Sequence, residues 1–146
     1  MANEVHITRR LDASPDEVYD AWLDPESVAE WMIPSAGGRT EAKLDPRVGG
    51  RFQIDMFGET ETYPHHGEYL RLERPRLIEF SWVSNATAQQ RSIVTIELSP
   101  LGETQTELKL HHRLLASSEA AREHHSGWST VLDRLADRFA HSTRPK

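Results

Sequence analysis

The chain has no cysteine. That absence removes disulfides, thiolate zinc sites and cysteine nucleophiles from consideration, and it suits a reducing, cytoplasmic setting. No apolar run approaches the ~18–20 residues that a membrane span requires. The opening residues Met1 to Val5 lack a basic segment followed by an apolar core, so no secretory leader is expected. Positive charge is also scarce: 17 Lys and Arg stand against 23 Asp and Glu, a formal charge of −6. A duplex-binding protein needs a basic footprint to displace counterions, so nucleic acid is not the expected partner. Neither Gly37-Gly38 nor Gly49-Gly50 has the spacing of a phosphate loop; both are turn glycines.

What is present suits one soluble domain spanning residues 1–146, with 141–146 as a frayed tail. Hydrophobic residues make up 37% and charged residues 27% of the chain, and no linker or repeat divides it. Val5, Ile7 and Leu11 alternate with polar neighbours as one face of a first strand. Ser14-Pro15-Asp16-Glu17 is a capping box with proline at the first helical position, and Val18, Ala21 and Trp22 follow at helical spacing. Asp24-Pro25-Glu26 repeats that grammar ahead of Val28, Trp31 and Met32, and Pro34 with Gly37-Gly38 ends the second short helix.

Strands then dominate. Arg39 to Leu44 alternates weakly; Phe52, Ile54 and Met56 form a clear inner face. Tyr63 to Glu73 is expected as the next strand, followed by one carrying Ile78, Phe80 and Trp82. Ile93, Val94, Ile96 and Leu98, then Thr106, Leu108, Leu110 and His112, complete the series across the Pro100-Leu101-Gly102 turn. A long helix starts near Ser117 or Ser118, with Ala121, His125, Trp128, Val131, Leu132, Leu135 and Phe139 on its apolar stripe. Gly127 sits inside that helix at a cost of ~1 kcal/mol relative to alanine, which suggests close approach of another element. The order predicts an α+β fold: about six to seven antiparallel strands curved around one long C-terminal helix, with two short helices after the first strand.

Ala21-Trp22-Leu23-Asp24-Pro25-Glu26, then Trp31 and Pro34, together resemble the activator-of-heat-shock-ATPase-homologue branch of the START-like (SRPBCC, helix-grip) superfamily. Gly49-Gly50-Arg51-Phe52, Gly67-Glu68-Tyr69-Leu70, Pro75 to Trp82, and Gly127-Trp128 with Leu132-Asp133-Arg134-Leu135 extend the resemblance along essentially the whole chain. It implies a helix-grip fold with an internal cavity between sheet and C-terminal helix. The eukaryotic co-chaperones of that branch carry an additional N-terminal domain. This chain begins at the first strand of the START-like domain, so a chaperone interaction is not expected.

Eight histidines are unusual for 146 residues, and six form adjacent pairs, His65-His66, His111-His112 and His124-His125. Neighbours on a strand point to opposite faces. Alternation with Leu70 and Leu72 puts His66 and Glu68 inward; alternation with Leu108 and Leu110 puts His112 inward; the helical stripe puts His125 inward. Three readings of such a group stand: a metal site, general acid–base chemistry by His66, Glu68 or His112, and polar lining that orients a ligand. No metal-ligand spacing such as His-x-x-x-His occurs, so neither metal nor cofactor is expected.

The expected function is binding of a small apolar or amphipathic ligand in the cavity. Its lining is expected from Phe52, Met56, His66, Phe80, Trp82, His112, His125, Trp128 and Leu132. A cyclase- or hydrolase-like enzyme is the first alternative and a chaperone-associated protein the second. A homodimer is left open.

Overall fold

A computed structural model of the chain describes residues 3–33, 38–58, 60–84, 87 and 90–143, with side chains through 140. The expected stop at Pro34 and Gly37 lies outside the described residues. Strand β1 (Val5–Leu11) leads into helices α1 (Pro15–Leu23) and α2 (Pro25–Trp31). Strands β2 (Arg39–Leu44), β3 (Arg51–Phe57), β4 (Thr62–Glu73), β5 (Leu77–Ser84), β6 (Ser92–Pro100) and β7 (Thr106–Arg113) follow. Helix α3 (Ser118–Thr143) closes the chain.

The start signals act as their chemistry predicts. Ser14 Oγ accepts from the Glu17 amide at 3.3 Å while Glu17 Oε1 accepts from the Ser14 amide at 3.1 Å, which satisfies two orphan donors of α1. Asp24 caps α2 through the Glu26 amide at 3.1 Å, and Ser117 Oγ caps α3 through the Ala120 amide at 3.1 Å.

The strands form one seven-stranded antiparallel sheet in the order β1-β7-β6-β5-β4-β3-β2. Every pair from β2 to β7 is therefore a hairpin neighbour, and β1 returns to pair with β7. This is the helix-grip arrangement, a curved sheet with a long C-terminal helix against its concave side. The core between them is rich in aromatic rings. Trp22 meets Trp31 edge-on at 4.7 Å, Phe52 meets Phe80 edge-on at 5.4 Å, and Trp82 lies 5.1 Å from Trp128. Edge-to-face and tilted contacts of this kind add ~0.5–1.5 kcal/mol per pair beyond area burial.

Two expected faces are reversed, each for a specific reason. On β4 the buried residues are Gly67 and Tyr69, with His65 half-buried beside them, whereas His66 is exposed. Glu68 is half-buried opposite Arg51, on the other side of the strand from Gly67 and Tyr69. A register shift between Tyr69 and Arg71 is the cause: Tyr69 pairs with Phe80 but Arg71 with Glu79, so three residues on β4 oppose two on β5. The extra residue inverts alternation across the bulge, and counting back from Leu72 assigns the wrong side.

On α3, His124 is buried and His125 exposed. The stripe runs Ala120, His124, Trp128, Val131, Leu132, Leu135, Phe139. A four-residue step back from Trp128, not a three-residue one, tracks the inward face here. Gly127 also departs from expectation. A Cβ built there would meet nothing within 4 Å, so no neighbouring element approaches it. Gly67 is the glycine that close packing requires: a Cβ there would lie 1.9 Å from the Ser81 carbonyl oxygen and 2.6 Å from the Phe52 ring.

Candidate functional site

The aromatic core fills most of the space between sheet and helix. Phe52 and Phe80, with Trp22, Tyr69 and Ile78, surround a void of only about 20 Å³, room for about one water molecule. Leu132 is fully buried. These three expected lining residues, Phe52, Phe80 and Leu132, are packing. The open space lies further along, at the end of the grip where the β3–β4 hairpin faces the first half of α3. There a solvent-open cavity of about 590 Å³ has Met32, Met56, His65, Trp82, Trp128 and Val131 among its walls. Thr60, Glu61 and Tyr63 from the hairpin and Glu123, Ser126 and Thr130 from α3 border the same cavity. Of the residues expected to line a pocket, Met56, Trp82 and Trp128 do so; His66 and His125 do not.

His112 is at 0% exposure and lies behind Trp128. The Trp128 indole N–H can only donate, and it reaches His112 Nδ1 at 3.0 Å. That nitrogen must therefore carry a lone pair, which fixes His112 as the neutral tautomer protonated on Nε2. Its Nε2–H then donates to Ser92 Oγ at 2.7 Å, and the Ser92 hydroxyl donates to the Trp82 carbonyl at 2.6 Å. The chain of donors runs from helix to sheet with every member satisfied. Burial, with the neighbouring His124 and His111, pushes the His112 pKa down to about 3. A protonated ring would also set a second donor against the Trp128 N–H. With both nitrogens engaged and neutral, His112 holds the cavity wall and cannot exchange protons with a ligand.

His65 and His124 are the imidazoles that border the cavity. His124 Nδ1 donates to the Ala120 carbonyl at 2.7 Å, one helical turn back, which leaves its Nε2 as a lone-pair acceptor without a partner among the described residues. Burial lowers its pKa. His65 Nδ1 donates to the Ile54 carbonyl at 3.3 Å, and its ring lies 4.7 Å from Trp82. Burial pushes its pKa down to about 4. Both rings are uncharged at neutral pH. The acid–base set read from the sequence, His66, Glu68 and His112, is not brought together: two face away from the cavity and the third is sealed behind Trp128.

A different histidine group sits on the outer side of β1 and β7. His6 and His111 are directly paired across these strands and stack at 4.2 Å. Glu4 Oε1 accepts from His111 Nε2 at 2.5 Å and from His6 Nε2 at 3.2 Å. The His111 hydrogen bond is the chief cause that holds the Glu4 carboxyl below its usual pKa. These three side chains, with ligand atoms within 4.8 Å of one another, could hold a divalent cation. The carboxylate already serves both imidazoles, so the group is satisfied without one.

Fold and cavity together define a helix-grip protein with a ligand-sized cavity at one end. Residues 12–140 match the family Activator of Hsp90 ATPase homolog 1-like protein (AHSA1), and the chain belongs to it. Among solved structures, protein CV1439 from Chromobacterium violaceum is 27% identical, with a TM-score of 0.81 over 94% of this chain and 97% of that one. CalU16 from Micromonospora echinospora is 32% identical, with a TM-score of 0.70 over 90% of this chain and 73% of that one. PFC0360w, an HSP90 activator from Plasmodium falciparum, is 22% identical, with a TM-score of 0.74 over 90% and 92%; that likeness is one of fold. A search of curated proteins gives no match. No helix among the described residues is long and apolar enough to cross a membrane.

Proposed function

We propose that the protein binds a small hydrophobic or amphipathic molecule in the 590 Å³ cavity between the β3–β4 hairpin and α3. The volume falls in the ~300–1,000 Å³ range of small-molecule sites. The observation that carries the reading is Gly127. A glycine inside a helix costs ~1 kcal/mol against alanine, and here no packing contact requires it. It lies three residues after His124 and four before Val131, both buried, so a side chain at this position would project over the cavity. The helix forgoes stability at a position where a side chain would narrow the opening.

Titration with 1-naphthalenemethanol, an uncharged bicyclic probe, followed by quenching of the cavity tryptophans Trp82 and Trp128, tests the proposal. Gly127→Ala should bind within about twofold of the natural protein and melt at a higher temperature, because alanine fits without contact and favours the helix. Gly127→Leu should stay folded and lose at least about tenfold in affinity. Unchanged binding in the leucine variant would place the probe elsewhere and end the cavity reading.

A further inference from the structure

The cavity's polar equipment is one-sided. Its described walls include two carboxylates, Glu61 and Glu123, and neither lysine nor arginine. Its two imidazoles are kept neutral by burial, and each spends its Nδ1–H on a backbone carbonyl. The hydroxyl donors are partly spent as well: Tyr63 donates to Glu61 Oε2 at 2.8 Å and Thr130 to the Ser126 carbonyl at 3.1 Å. The Thr60 and Ser126 hydroxyls and the partnerless Trp82 indole N–H remain as neutral donors, while every charged group on the described walls is an acceptor: the two carboxylates, joined by the His124 Nε2 lone pair beside Trp82 and Trp128. An anion entering here would meet like charge at the rim and only neutral donors below it, with no cation among the described walls. An ammonium would meet carboxylates, a lone pair and aromatic faces, each of which attracts it. The chain's net charge of −6 adds to the same preference at longer range.

Resting on the cavity-binding reading, we propose that the natural ligand is a cationic amphiphile, an apolar or aromatic body carrying a protonated amine, and that fatty acids and aromatic carboxylates are rejected. The amine end lies at the rim, between Glu61 on the hairpin and Glu123 on α3. The apolar body lies against Met56, Trp82, Trp128 and Val131.

Three probes with one ring system separate the charge from the fit: 1-naphthylmethylamine, 1-naphthalenemethanol and 1-naphthoate, titrated near neutral pH at low salt. The amine should bind at least roughly tenfold tighter than the carboxylate, with the alcohol between them. The difference should shrink with added salt, because the rim glutamates are exposed. In the Glu61→Gln, Glu123→Gln double variant it should fall to within about twofold while the alcohol's affinity is kept. If the alcohol binds and the carboxylate equals or exceeds the amine, the charge assignment is overturned and the cavity survives. An amine advantage that persists in the double variant overturns the charge assignment in the same way. If none of the three binds, the cavity-binding reading falls with it.

Discussion

Acidification should unfold this protein by way of His112, and the size of the effect follows from its hydrogen bonds. Native His112 remains neutral down to about pH 3, because burial disfavours the charge and Trp128 occupies Nδ1 with a donor. In the unfolded chain the same ring takes a proton near pH ~6.5. Between those values the unfolded state binds one more proton than the native state. The stabilising contribution is therefore complete above pH ~6.5 and is lost as pH falls, by up to ~1.4 kcal/mol per unit. At pH 5 the loss is about 2 kcal/mol, and that figure depends on the unfolded ring alone once the folded value lies well below 5. His65, held at about 4, adds a similar amount, and His124 is lowered in the same direction. Against a typical domain stability of ~5–15 kcal/mol, about 4 kcal/mol or more is a large fraction.

Urea unfolding at several values from pH 7 to pH 5 measures this directly, a window that stays above most carboxylate titration. Near pH 5.5 each neutral histidine contributes a slope of ~1.2 kcal/mol per pH unit. His112→Gln replaces the ring by an amide that cannot titrate but can still accept and donate. Its absolute stability will differ, so the slope is the quantity to compare. It should fall by ~1.2 kcal/mol per unit relative to the natural protein. An unchanged slope would mean that His112 is protonated alike in both states, and the neutral Trp128–His112–Ser92 chain would be refuted.

Two further changes bear on the same framework. Ser92→Ala leaves the buried Nε2–H of His112 and the Trp82 carbonyl without their partner, and should cost about 1–3 kcal/mol in denaturant unfolding. Gly67→Ala drives a methyl group into the Ser81 carbonyl and the Phe52 ring, so this smallest of substitutions should lower the melting temperature severely or abolish soluble expression. A well-folded Gly67→Ala protein would show that β4 and β5 can separate there at little cost.

The element order was legible because each signal is local. Ser14, Asp24 and Ser117 announce helices through their own side chains, and Phe52, Ile54 and Met56 announce a strand through period two. The site was less legible because it depends on phase, and phase is not local. A single extra residue on β4, between Tyr69 and Arg71, exchanges His66 for His65 at the cavity, and nothing in the composition of Tyr69-Leu70-Arg71 marks it. On α3 the choice between His124 and His125 turns on whether the inward stripe steps back by four or three from Trp128. Helical spacing allows either, and the ring of His112 settles it by meeting His124 edge-on at 4.7 Å. Adjacent histidine pairs are where such an error matters most, since either member satisfies the pattern and only one faces inward. The Glu4–His6–His111 group was missed for a related reason. It needs β1 and β7, about a hundred residues apart in sequence, to pair in one register, and then Val5 and Ile7 facing inward put Glu4 and His6 outward beside His111. A sequence reading that follows each strand singly finds the faces, but the chemistry of this protein is assembled across strands and between sheet and helix.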